Sequence, residues 1–226
     1  MIAMTDLATL EQKIGYSFKD QSLLIRALTH SSTGGDESYE RLEFLGDRVL
    51  GLVVAEILYT KFPNEPEGDL ARRLSALVQG TWLAKMSALI DLGSHMKFSE
   101  SERAAGGGQN ENIIADGMEA LLGAMYLDAD LAQCRTFIET LWGDNFETMT
   151  HPPQHPKTKI QEWAQAQGLP LPVYEITGQS GPDHAPIFSL ELHVHGYSPI
   201  KAEGKSRGAA EKAAAKTFLK QIKQND

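Results

Sequence analysis

The chain has 226 residues, 42% of them apolar and 23% charged, ordinary values for one large or two modest soluble domains. No run approaches the ~18 apolar residues of a membrane span, and the opening MIAMTDLATLEQK has no basic start followed by an apolar core. A single cysteine, Cys134, excludes an internal disulfide framework and fits a reducing compartment, so a cytoplasmic protein without a membrane partner is expected.

The net charge of −9 divides unevenly. Residues 1–154 hold 12 Lys and Arg against 23 Asp and Glu, a net −11, while residues 155–226 hold 9 against 7, a net +2. An acidic body joined to a mildly basic tail fits a metal-using part followed by a separate binding part.

In chain order, two short helical patterns come first, Leu7–Ile14 and Gln21–Leu28, separated by Gly15. His30 reads as a capping or core histidine. After the polar turn STGGDES, the stretch YERLEFLGDRVLGLVVAEIL predicts a long helix from Tyr39 to Leu58. At about 100° per residue, Glu40, Glu43 and Asp47 fall within about 60° of arc on one face. Leu42, Leu45, Val49, Leu52 and Val53 gather opposite as a core stripe. Val54 and Leu58 continue the acidic face, and Phe44 and Leu50 flank it, so the helix is apolar almost all round. Surplus apolar surface at Phe44 and Leu50 points to a subunit interface. Carboxylates in that setting face a desolvation cost of several kcal/mol each unless something positive compensates.

The helix should end at KFPNEPEGDL, where two prolines and a glycine force a loop. Glu67 in that loop suits the first turn of a following helix. Helices Asp69–Val78 and Thr81–Ile90 come next, and Arg72 and Arg73 are placed to reach either a phosphate or an acid. Residues 99–112, SESERAAGGGQNEN, read as a Gly-rich polar loop without the Gly-Lys-Ser/Thr ending of a P-loop. Then IIADGMEALLGAMYL, Ile113–Leu127, carries only two charges, Asp116 and Glu119, spaced to share a helix face. Asp130–Met149 reads as one further helix with Phe137, Ile138, Leu141 and Trp142 inward, and Cys134 as filler rather than nucleophile.

Acids on two apolar helices suit a hard, oxygen-liganded cation such as Mg²⁺ or Mn²⁺. The competing structural reading pairs each acid with an Arg or Lys from elsewhere. No Cys–His spacing suits zinc, and no Ser–His–Asp or Cys–His arrangement offers a covalent nucleophile.

THPPQHPKT marks a linker at residues 151–156, separating a domain at 1–150 from a second at 157–226. Lys159–Gln167 is predicted helical. PVYEITGQSG, APIFSLELHVHG and SPIKAEG alternate with period two as strands, and Arg207–Ile222 is an Ala/Lys-rich helix. The fold class is therefore multidomain, an all-helical domain followed by an α+β domain of order α-β-β-β-α.

ERLEFLGDRVLG closely resembles the signature stretch of the bacterial ribonuclease III family, and IIADGMEALLGAMYLD resembles its second acidic motif. LLIRALTHSS resembles the family's opening helix. The α-β-β-β-α tail resembles the double-stranded-RNA-binding domain. The resemblance implies a homodimeric, divalent-metal-dependent endoribonuclease without a small-molecule cofactor. Each subunit would cut one strand of double-stranded RNA, leaving two-nucleotide 3′ overhangs. It implies Glu43, Asp116 and Glu119 as metal ligands, Asp47 and Glu119 as catalytic residues, and Glu40 as a supporting or RNA-side acid. Glu67 matches an acid used in RNA contact or subunit pairing. In the tail, KIQEWAQ places Gln161 and Glu162 toward a minor groove, and GPDHAPIF places His184 in the next. GKSRGAAEKAAA directs Lys205, Arg207 and a helix N-terminus at phosphates. Two departures stand out: Gln109 where a basic residue commonly follows the glycines, and Gly208 where a second basic residue usually follows Arg207. An alternative is a duplex-RNA-binding protein without catalysis.

Overall fold

A computed structural model describes residues 4–34, 38–148, 155–182 and 185–224. The chain divides into two compact units, Met1–Pro153 and Gln154–Asp226.

The first unit is helical. It opens with α1 (Met4–Ile14) and α2 (Gln21–Ala27), followed by a 3₁₀ turn at Ser31–Thr33 and then the long α3 (Glu40–Lys61). After it come α4 (Glu67–Val78), α5 (Gly80–Leu89), α6 (Leu92–His95), α7 (Glu100–Ala104) and a 3₁₀ turn at Gly107–Gln109. The unit closes with α8 (Glu111–Asp128), α9 (Leu131–Trp142) and α10 (Asn145–Thr148). Short polar side chains start several of these helices by accepting an orphan backbone N–H. Asp20 takes that of Ser22 at 2.9 Å, Asn110 that of Asn112 at 3.0 Å, and Asp130 that of Gln133 at 2.9 Å.

At the centre α3 lies against α8. Leu42, Val49, Leu50, Val53, Val54 and Ile57 from α3 share one buried cluster with Met118, Leu121, Leu122 and Met125 from α8. The two backbones approach unusually closely at glycines. A Cβ on Gly46 would overlap the Glu119 carbonyl oxygen, and one on Gly123 would overlap that of Leu42. Only glycine fits either position.

Several expectations change here. Leu52, assigned to the core stripe, is 58% exposed, and Leu50, assigned to an interface, is fully buried. The buried arc of α3 is turned toward the acidic face because α8 packs there, which moves Leu50 inward and Leu52 outward. Phe44 does stay on the surface at 69% exposure. The supposed single helix after Asp130 is two, broken where Gly143 takes φ +50°. Met149 lies outside the described residues.

The Gly-rich stretch is more ordered than a loop. Ser99 caps α7 by accepting the Glu102 N–H at 3.2 Å. A Cβ on Gly93 would overlap the Gly108 carbonyl oxygen, so these glycines serve close backbone packing. Arg72 and Arg73 both go to acids. Arg73 is buried, stacks over Phe62 at 3.9 Å and holds Glu65 through two hydrogen bonds of 2.6 and 2.7 Å, while Arg72 pairs with Asp69. No described helix is long and apolar enough to cross a membrane.

The second unit has the order α11 (Pro156–Ala166), β1 (Val173–Ser180), β2 (Ile187–His193), β3 (Ile200–Gly204) and α12 (Arg207–Gln224). Residues 151–154 of the expected linker lie outside the described residues. Pro156 is instead the first residue of α11, where its missing N–H costs nothing. The strands pair antiparallel in the order β1-β2-β3, with a register shift between Ile176 and Gly178. Ile160 of α11 and Ala210, Ala214 and Phe218 of α12 share one buried cluster with the sheet residues Leu190 and Leu192. Trp163, Tyr197 and Phe218 lock this core edge to face, with ring centroids 5.1 to 5.6 Å apart.

Candidate active site and nucleic-acid interface

Close packing of α3 on α8 brings three carboxylates together. Glu43, in the first turn of α3, and Asp116 and Glu119, one turn apart on α8, each offer an oxygen within 4.8 Å of the others. All three are half-buried. Among the described residues no basic side chain forms an ion pair with any of them, so the pairing expected by the competing structural reading is absent there.

The electrostatics follow. Burial, reinforced by Asp116 and Glu43, pushes the Glu119 carboxyl up to about 7, against a smaller downward pull from Arg48. Burial and then Asp116 and Glu40 raise Glu43. Burial raises Asp116, and His30 partly offsets it. Crowded oxygen donors that disfavour their own ionisation are a donor set suited to a hard divalent cation, which would remove the penalty.

The remaining acids stand apart from this cluster. Asp47, one turn beyond Glu43, is partly exposed and ion-paired with Arg48. Glu40 is exposed and accepts a 3.0 Å hydrogen bond from Ser38 Oγ. Glu67 is the exposed first residue of α4. His30 caps the first 3₁₀ turn, its Nδ1 accepting the Ser32 N–H at 3.2 Å, and its ring stacks on Tyr39 at 5.4 Å. Buried Tyr39, which sequence reasoning passed over, has its hydroxyl pushed well above the ordinary range by burial and by Asp116 and Glu43. Buried Cys134, its thiol pushed up to about 12 by burial, offers no nucleophile.

On the second unit, Glu162, Lys205 and Arg207 are exposed and Gln161 is partly so. His184 lies outside the described residues. Ser206 Oγ accepts the Ala209 N–H at 3.2 Å at the start of α12. Sequence reasoning missed Glu211, a buried acid one turn into α12 that pairs with both Lys157 and Arg207. Its spacing of four from Arg207 was the available signal.

Comparison with known proteins places this geometry. A Ribonuclease-III-like family model matches residues 20–144, and a Double-stranded RNA binding motif model matches residues 156–222. Ribonuclease 3 of Caulobacter vibrioides is 46% identical over 215 residues, covering 93% of each chain. Ribonuclease 3 of Ehrlichia canis is 44% identical over 221 residues, covering 96% of this chain and 98% of the relative. The crystal structure of the nuclease domain of ribonuclease III from Campylobacter jejuni is similar with a TM-score of 0.61 at 42% identity, over 63% of this chain and 97% of that one. A second structure of that domain, with a TM-score of 0.60 at 42% identity over 62% of this chain and 97% of that one, concerns a region involved in dimer formation. With a helical nuclease domain, a three-stranded α+β domain and similarity along nearly its whole length, this chain belongs to the ribonuclease III family.

Proposed function

We propose that this chain is a divalent-metal-dependent endoribonuclease that cuts double-stranded RNA and acts in the processing of ribosomal RNA precursors and other structured transcripts. The observation that carries the reading is the three-carboxylate cluster of Glu43, Asp116 and Glu119, without a basic partner among the described residues. These residues would hold Mg²⁺, with Mn²⁺ as the alternative. Once bound, such an ion supplies a water of lowered pKa and neutralises charge on the scissile phosphate.

The protein's own residues do the rest. Glu119, which shares a face of α8 with Asp116 and comes within reach of Glu43, would serve both as a ligand and at the catalytic step, deprotonated once the ion is bound. Asp47, one turn along α3, orients the attacking water. Glu40 and Glu67, exposed on the same unit, face the RNA or a second subunit. Hydrolysis by water leaves a 5′-phosphate and a 3′-hydroxyl without a covalent enzyme intermediate.

Two copies would cut the two strands at staggered positions, giving two-nucleotide 3′ overhangs. Exposed Phe44, Leu52, Tyr59 and Leu127 favour pairing of nuclease domains, because a lone monomer would leave that apolar surface wet. The tail domain, with Gln161, Glu162, His184, Lys205 and Arg207, would grip the duplex across two minor grooves and the major groove between. Lack of a membrane-length helix among the described residues and a buried, unbridged Cys134 agree with a cytoplasmic site of action.

The test is direct. Purified full-length protein should cut a long RNA duplex in Mg²⁺ and leave it intact in EDTA, with 5′-phosphorylated, two-nucleotide-staggered ends seen by sequencing. Binding of the duplex without cutting in either Mg²⁺ or Mn²⁺ would favour the non-catalytic alternative.

A further inference from the structure

The start of α12 holds a buried acid that the duplex-binding reading does not use. Glu211 is 7% exposed, an unusual position for a carboxylate in a surface that should attract phosphate. Its Oε1 accepts a 2.9 Å hydrogen bond from Arg207 Nε, and its Oε2 pairs with Lys157 Nζ. Lys157 belongs to the first turn of α11, so one carboxylate joins the N-terminal ends of both helices. Tyr174 of β1 completes the cluster, its ring lying 4.9 Å from Lys157 Nζ.

The geometry of the Arg207 contact is informative. Arg207 meets Glu211 through Nε, and among the described residues no other hydrogen bond engages its two η nitrogens, on a side chain that is 64% exposed. With Nε engaged, the two terminal nitrogens still offer an end-on pair of donors to a phosphate, and a preorganised fork loses less conformational entropy on binding. An acid this close also lowers the local positive potential. The two effects have opposite signs, so which dominates can be measured.

We propose that Glu211 is a positioning residue of the RNA-binding surface, fixing Arg207 and Lys157 in the orientation that meets duplex phosphates. The inference rests on the reading that this unit binds duplex RNA. Lys157 thereby joins the binding surface, although its sequence position alone did not mark it.

The experiment uses full-length protein in EDTA and a labelled RNA duplex, with anisotropy read across a KCl series. Wild type should bind; absence of binding would overturn the duplex-binding reading itself along with this one. Glu211→Gln keeps the shape and makes the surface more positive, yet should weaken binding about three- to tenfold. The slope of log affinity against log salt should fall by about one, as one ordered phosphate contact is lost. In an Arg207→Ala, Lys157→Ala background the same Glu211→Gln change should have no further effect. Unchanged or tighter binding by folded Glu211→Gln would overturn the proposal, as would a further loss in that background. Should Glu211→Gln fail to fold, Arg207→Lys keeps the charge but removes the Nε donor. It should weaken binding to a similar degree, and wild-type affinity there would overturn the proposal.

Discussion

Gly46 of α3 sits directly against the carbonyl of Glu119 of α8. A side chain on Gly46 would collide with that oxygen and come within 2.9 Å of Gly123 N. Glu43 lies one turn before Gly46, and Glu119 one turn before Gly123. The missing side chains are therefore what let an acid from each helix share a site. Gly46→Ala should destabilise the nuclease domain by about 1–3 kcal/mol or more through overpacking against backbone. It should weaken metal binding beyond that loss by spreading Glu43 from Asp116 and Glu119. Urea melts and Mg²⁺ titration of the variant check both, and a wild-type melt would place the helices farther apart than described.

Stability without metal should fall as pH rises through the site's titration. Glu119 has a folded pKa of about 7 against an ordinary glutamate value of 4.5, so between those values the folded state binds more protons than the unfolded one. The sign is the reverse of that for an ion-paired carboxylate: the free site is at its best below the unfolded pKa and loses stability up to about 7. Raised Glu43 and Asp116 act in the same direction. Thermal midpoints in EDTA should therefore decline across this window for wild type and much less for Glu119→Gln. Mg²⁺ should raise the wild-type midpoint more near pH 8 than near pH 5.5, because its ligands must be deprotonated. Equal midpoint gains at the two pH values would count against Glu119 as a ligand.

Gly208 offers a gain-of-function test. Nothing lies within 4 Å of a Cβ built there, in the first turn of α12 beside Arg207. Gly208→Lys should fold at least as stably, since glycine disfavours helix by about 1 kcal/mol. It should also add a phosphate contact and steepen the salt dependence of duplex binding by about one logarithmic unit. Anisotropy titrations over KCl check this, and an unchanged slope would mean the α12 N-terminus does not meet phosphate.

Phe44 tests assembly. Being 69% exposed in the single chain, it contributes little to the monomer core, so Phe44→Ala should melt near wild type. Light scattering should show wild type at twice the 24.8 kDa chain mass and the variant dissociating at higher concentration. A dimer of unchanged affinity would place the interface elsewhere.

Much of this was readable in the chain itself, for definable reasons. ERLEFLGD and IIADGMEALLG announce their helices by apolar periodicity, and they carry acids where apolar surroundings make acids expensive. Period-two alternation likewise outlined all three strands of the tail. What periodicity does not encode is the direction from which a neighbour packs. That is why Leu50 and Leu52 exchanged sides once α8 settled over the acidic face. Nor does periodicity mark Gly46 and Gly123, whose role lies in a contact 77 residues distant along the chain. Glu211 was hidden by its generic surroundings in an Ala/Lys-rich helix, and only the fold brings Lys157 to it.

The central claim is that the Glu43, Asp116 and Glu119 cluster cuts duplex RNA with a divalent ion. The most direct measurement compares wild type with Glu119→Gln at saturating Mg²⁺, reading single-turnover cleavage and, in EDTA, duplex affinity. Removing the charge while keeping the shape should lower cleavage by orders of magnitude and leave duplex affinity within about twofold, a change worth under ~0.5 kcal/mol. Near-normal cleavage by the variant would contradict the account.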